Sequence, residues 1–247
     1  MSLTWGTLQW QINKTAVIEE IFQRNPRIKC LNNSFDYIDS NGNGLVFSYP
    51  QGTSNNGLIL HDISTESIES IPLALVINKN IGPGLSMTVT RDVVEIYRQY
   101  SNRIFLHDWE INCLAAYIDG LYFYNKRLDY YRLFEGQAVS VGITKERKKL
   151  DILKRKIYES QRGYDETIGL LIELSAIRPK TDNYEYVRKL YDYTTVRNHV
   201  VNERKVGMWI NEIKLFNEIE HRYGYADKRY CYIDLLAAIM PKRKETK

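Results

Sequence analysis

The chain has 247 residues, 44% hydrophobic and 26% charged, with 34 basic against 30 acidic side chains and a net charge of +4. That length buries a core without staples, as one large domain or two small ones, and so mild a charge neither requires nor excludes a polyanionic partner. Cys30, Cys113 and Cys231 are odd in number, far apart and without CxxC spacing, which argues against a disulfide framework or zinc knuckle and for buried thiols in a reducing compartment.

Residues Asn13 to Arg24 place Val17, Ile18, Ile21 and Phe22 on one helical face before Pro26, which predicts a short amphipathic helix. It is expected to stand ahead of the body as an arm, residues 1–30. A single compact domain follows over 31–247, β-rich from 31 to 143 and helical from 144 to 247. The β-rich part is expected as short strands at Leu45 to Tyr49, Leu58 to Ile63, Leu73 to Asn78 and Leu85 to Thr90. Asn41-Gly42, Asn43-Gly44 and Gly82-Pro83-Gly84 are turn signals. After Thr90 the period lengthens to that of a helix with Val93, Ile96 or Tyr97, and Tyr100 on one face. Asp108 to Phe134 reads both ways: Ile111, Leu114, Ala115 and Ile118 have helical spacing, while Gly120 to Tyr124 fits a strand. Ala138 to Ile143 is one more expected strand. Helices follow at Leu150 to Ile157, at Ile168 to Ile172 before Pro179, one or two over Val187 to Ile219, and one from Asp227 to Pro241. The expected class is α+β, with a sandwich-like first half and a mainly helical second half.

Four constellations invite a chemical reading. Asp39-Ser40-Asn41-Gly42-Asn43-Gly44 matches the start of a calcium loop, but position 12 is Pro50 where a bidentate Glu is needed, so a hairpin and no metal are expected. His61-Asp62, and His107-Asp108 with Glu110, pair imidazole with carboxylate, the material of a metal-dependent nuclease. Arg197-Asn198-His199 resembles the Arg and His pair of HEPN-type ribonucleases, but two residues apart they face different sides of a helix. Lys145, Arg147, Lys148, Lys149, Lys154, Arg155 and Lys156, near Tyr158 and Tyr164, form a candidate polyanion face of a nucleic-acid-binding virion or phage component. No Walker loop, GxGxxG, nucleophile elbow, HExxH or CxxC is present. The expectation is no enzyme, no catalytic residue and no cofactor. Without a basic leader or an 18-residue apolar run, the protein is expected to be soluble and intracellular.

Tyrosine outnumbers phenylalanine 19 to 7, and it falls in bursts: Tyr122, Tyr124, Tyr130 and Tyr131; Tyr184, Tyr186, Tyr191 and Tyr193; Tyr223, Tyr225, Tyr230 and Tyr232. A flat apolar body with a hydroxyl suits contact surfaces as well as cores, so the last two bursts, with Ile18, Ile21 and Phe22, are the expected assembly contacts. Three strings occur in order: Leu75 to Asn80 followed by Tyr97-Arg98-Gln99-Tyr100; Gly136 to Val141; and Trp209 with Glu212 to Leu215, then Tyr230 to Leu235. In these strings, and in length and tyrosine richness, the chain resembles the cypovirus polyhedrins, which crystallise around virions inside infected insect cells. The resemblance implies a β-sandwich core, an N-terminal helix reaching into neighbouring molecules, trimers packed in a cubic lattice, the cytoplasm of an infected host cell, virus particles as companions and no catalytic site. It also implies dissolution in alkali, and deprotonation of phenols and lysines near about pH 10 would provide it.

Overall fold

The computed structural model describes residues 8–10, 13–45, 67–77, 81–100, 107–132, 165–177, 182–224 and 229–239. The chain divides into two compact units, Met1–Glu146 and Arg147–Lys247. Strands belong to the first and the second is helical, so the fold is α+β.

The first unit is one mixed sheet with helices on both faces. At its centre β2 (Cys30–Ile38) runs parallel to β6 (Leu121–Arg132). Short antiparallel strands flank them. Beside β6 lie β1 (Leu8–Trp10) and β4 (Ile68–Ser70); beside β2 lie β3 (Gly44–Leu45) and β5 (Met87–Val89). A parallel pair needs a long crossover, and here it contains α2 (Leu73–Val76), α3 (Arg91–Tyr100) and α4 (His107–Tyr117). The ambiguous stretch after Asp108 is therefore helix and then strand. At their junction Gly120 takes Lys29 and Cys30 N–H on its carbonyl, at 2.8 and 2.9 Å, and a Cβ there would lie 2.5 Å from the Lys29 side chain. Only glycine lets the start of β2 approach that turn.

Alternation along β2 sends its side chains to the two faces. On one, Leu31 packs with Tyr124, Leu128 and Ile28 beneath α1 (Lys14–Arg24), whose Ile18 is buried and whose Val17, Ile21 and Phe22 are partly buried on the same cluster. On the other, Asn32 Nδ2 donates to Asn112 Oδ1 of α4 at 2.7 Å, beside Cys30. The helix expected to stand apart as an arm thus uses its apolar strip on its own sheet. Ile18 is only 7% exposed and is not free for an assembly contact, while Ile21 and Phe22 stay half-buried.

Pairing between β2 and β6 is irregular around Ser34: Asn33 lies opposite Tyr124, while Phe35 lies opposite Asp129. Residues five apart on a regular strand face opposite ways, and the bulge returns Asp129 to the face of Tyr124. Asp129 is wholly buried there. Lys14 Nζ donates to both its oxygens, at 2.8 and 2.7 Å, and to the Leu85 carbonyl at 3.1 Å. Asn33 Nδ2 adds a bond to the same carboxylate at 2.8 Å. Burial pulls the Lys14 pKa below its usual value against the opposing effect of Asp129.

Two local expectations are met differently. Leu73 to Asn78, expected as a strand, begins with the helical turn α2, because Pro72 opens it from an extended conformation and Ile77 N–H closes on Leu73 O at 3.0 Å. Asp39 to Gly44 is a hairpin turn between β2 and β3, with Gly42 at φ +90°. The runs at 58–63 and 138–143 and the helix at 150–157 lie outside the described residues.

The second unit contains α5 (165–177), α6 (Tyr184–Val201), α7 (Trp209–Tyr223) and α8 (Arg229–Ile239). Helix α6 buries Tyr186, Val187, Leu190, Tyr193, Thr194, Arg197, Val200 and Val201, one stripe of helical period. Against it lie Phe216 and Ile219 of α7 and Cys231 and Ala238 of α8. Gly224, at φ +68°, ends α7 in a backbone region that side chains with a Cβ rarely adopt.

Asp129→Asn keeps the side-chain shape but strips Lys14 of its counter-charge, and it is expected to cost about 3–5 kcal/mol in urea unfolding. Lys14→Met combined with Asp129→Leu should cost clearly less than the two single changes summed. Additive costs would mean that the two charges are not coupled.

Candidate functional site

The second unit holds a buried polar cluster beneath α8. Arg197 of α6 grips Asp234 of α8 with two bonds, Nε to Oδ2 at 2.7 Å and Nη2 to Oδ1 at 3.1 Å, and both side chains are almost fully buried. Glu212 of α7 is 0% exposed beside them. Tyr193 OH reaches Glu212 Oε1 at 3.5 Å and Cys231 Sγ at 3.9 Å, and Trp209 Nε1 donates to the Cys231 carbonyl at 2.8 Å. Burial first, and then the charge of Asp234, push the Glu212 carboxyl up to about 8. Burial, and then Glu212, push the Cys231 thiol up to about 12. These bonds seat the inner face of α8, made of Cys231, Asp234 and Ala238.

Its outer face is apolar as well. Tyr232, Leu236 and Ile239 fall at i, i+4 and i+7 and are 58%, 45% and 59% exposed. The Trp209 ring meets Tyr232 edge-on with centroids 5.8 Å apart. Ile210 at the start of α7, and Val206 in the turn before it, are exposed as well. A helix apolar on both sides is usually covered on both.

The expected contact tyrosines divide. Tyr191 and Tyr232 are exposed, and Tyr184 and Tyr223 are half-buried. Tyr186 and Tyr193, by contrast, are buried at 1% and 6% exposed, because they lie on the inward stripe of α6, where the Tyr186 ring meets that of Tyr223 at a tilt with centroids 4.4 Å apart. Burial raises the Tyr193 phenol well above its usual pKa, so its titration belongs to the core of this unit and not to a lattice contact. Tyr225 and the side chain of Tyr230 lie outside the described residues.

The candidate acid-base residues do not converge. His107 is exposed, whereas Glu110 is 2% exposed and accepts the Tyr97 hydroxyl at 2.9 Å. Asp108 Oδ1 takes the Trp109 N–H at 2.9 Å. His199 pairs with Glu203 at 2.8 Å while Arg197 is held by Asp234, so the two part company as their spacing suggests. Among the described residues no three His, Cys, Asp or Glu side chains group so as to hold a metal ion, and no helix is long and apolar enough to cross a membrane. His61, Asp62 and the basic run Lys145 to Lys156 lie outside them. The three cysteines are buried and free, as expected.

Sequence reading missed the Arg197, Glu212 and Asp234 cluster. Its signal was Asp234, the one acid in the apolar run Tyr230 to Ile239, since a buried acid requires a partner. Compared with known proteins, the chain matches no protein-family model, no curated protein and no solved structure.

In the Asp39 turn the carboxylate is already committed. Its Oδ1 accepts Asn41 N and Asn43 N at 2.8 Å, and Oδ2 accepts Asn43 Nδ2 at 2.9 Å. The Asn43 bonds, side chain first, hold its pKa below the usual value. Titration calorimetry with calcium up to about 10 μM is expected to give no binding heat. A saturable isotherm in that range would overturn the hairpin-only assignment.

Proposed function

We propose that this chain is a structural protein that works by contact with further copies of itself rather than by catalysis. One observation carries the reading: α8 buries Cys231, Asp234 and Ala238 on one side and leaves Tyr232, Leu236 and Ile239 open on the other. Covering a large apolar side chain contributes on the order of 1–2 kcal/mol. A symmetric pairing of two such stripes therefore supplies several kcal/mol before the cost of association, the scale of a weak single contact. Weak contacts become a stable assembly when each molecule makes several, and exposed Tyr191 and the half-buried Tyr184 and Tyr223 are further aromatic anchors.

Among the forms such assembly takes, the crystalline matrix of a viral occlusion body in the cytoplasm of an infected cell is the one to which the three sequence strings point. That form rests on the resemblance. Trimers and enclosed virus particles come with it.

Sedimentation velocity of the full chain over a wide concentration range tests the reading. The wild type is expected to sediment as concentration-dependent oligomers, and Leu236→Glu to shift them toward monomer with unchanged helicity, because position 236 faces outward. Expression in cells is expected to yield micron-sized intracellular crystals. A wild type that stays monomeric at every concentration would overturn self-assembly, and salt-dependent RNA binding by that monomer would favour the basic run instead.

A further inference from the structure

We propose that Glu212 is a proton-held latch that seats α8 against α6 and α7: protonated, it donates to Asp234, and ionised, it sets a second buried carboxylate against the first and loosens α8. Asp234 already takes two guanidinium bonds from Arg197, so the cation of the cluster is committed. Glu212 is 0% exposed, its Oε1 has the long bond from Tyr193, and its Oε2 has no hydrogen-bond donor among the described residues.

The groups facing Glu212 are Tyr193 and Arg197 from α6 and Cys231 and Asp234 from α8. Asp165, at the start of the described part of α5, interacts with the same Arg197 and Asp234, and burial raises its pKa too. Arg197 is the one cation in this set, against three carboxyl groups. Two acceptor oxygens cannot bond each other without a proton, and a neutral Glu212 supplies the one that joins α7 to α8.

The direction with pH follows from where each state releases that proton. Unfolded, Glu212 titrates near the ordinary value of about 4.3; folded, burial and then Asp234 hold its proton up to about 8. Below both values the two states bind it equally and the latch is closed at no cost. Between them the folded unit keeps a proton that the unfolded chain has released, so stability falls as pH rises, by about tenfold in the unfolding equilibrium per pH unit at most. Above the folded value the slope ends. Asp165 adds to the same trend, which is why a variant at 212 is needed to isolate the latch. The device stands whether or not the outer face of α8 meets another copy.

Hydrogen exchange of α8 peptides in the full chain, corrected for the intrinsic pH dependence of exchange, reads the latch directly. From about pH 5 to 8, wild-type protection of residues 229–239 is expected to fall by up to about tenfold per pH unit. Glu212→Gln keeps a donor toward Asp234 and should flatten that fall by close to one proton. Equal slopes in the two proteins would overturn the proposal. If the variant does not fold, the carboxyl carbon of Glu212 in the wild type decides by NMR: a midpoint above about pH 6 supports the latch, and one near about 4.3 overturns it.

Discussion

The parallel pairing of β2 with β6 is the constraint on which the first unit depends. Two parallel strands cannot be joined by a tight turn, so the chain between them must cross a face of the sheet, and in doing so it supplies α4 as a cover. Helix α1 covers the opposite face. A polar side chain buried on the central pair then needs a partner inside. Asn32 finds Asn112 on one face; Asn33 and Asp129 find each other and Lys14 on the other. Helix α1 is thus held twice, by its apolar strip and by a buried charge at its first turn. Apolar contact alone would tolerate sliding of the helix, whereas a lysine bonded to both oxygens of one carboxylate fixes its position.

The helical unit follows a similar rule with a different outcome. Arg197 and Asp234 satisfy one another, but Glu212 makes the cluster one acid too many. Retaining a second acid there costs stability at neutral pH, and in return the seat of α8 depends on a proton. The same helix carries the apolar outer stripe. Inner and outer faces are therefore mechanically linked: whatever settles α8 against α6 and α7 also settles the surface offered to a partner.

How much of this was legible in the sequence depended on whether burial came with an apolar pattern. Helix α1 and the hairpin at Asp39 were readable because spacing or turn chemistry announced them. The central strand β2 was not, since Asn32, Asn33, Ser34 and Asp36 give it the composition of a loop, and only its partners on two other segments make it a core strand. Leu73 to Val76 misled in the other direction, because a short apolar run does not distinguish a strand from a helical turn. For the candidate site, the tyrosine bursts did not tell which way their helices face: Tyr186 and Tyr193 turn inward, while Leu236 and Ile239, unremarkable in the sequence, turn out. Pairs such as Lys14 with Asp129, 115 residues apart, lie beyond any reading of local spacing.

The functional account comes down to what covers the outer face of α8. A photo-cross-linking residue at position 236 of the full chain, activated in an equal mixture of 14N- and 15N-labelled protein, answers that directly. The account predicts dimers joined between the α8 regions of two copies, with mixed-label peptide pairs among the products. Cross-links confined to single chains would mean that the stripe is covered by its own molecule, and would contradict self-assembly through this helix.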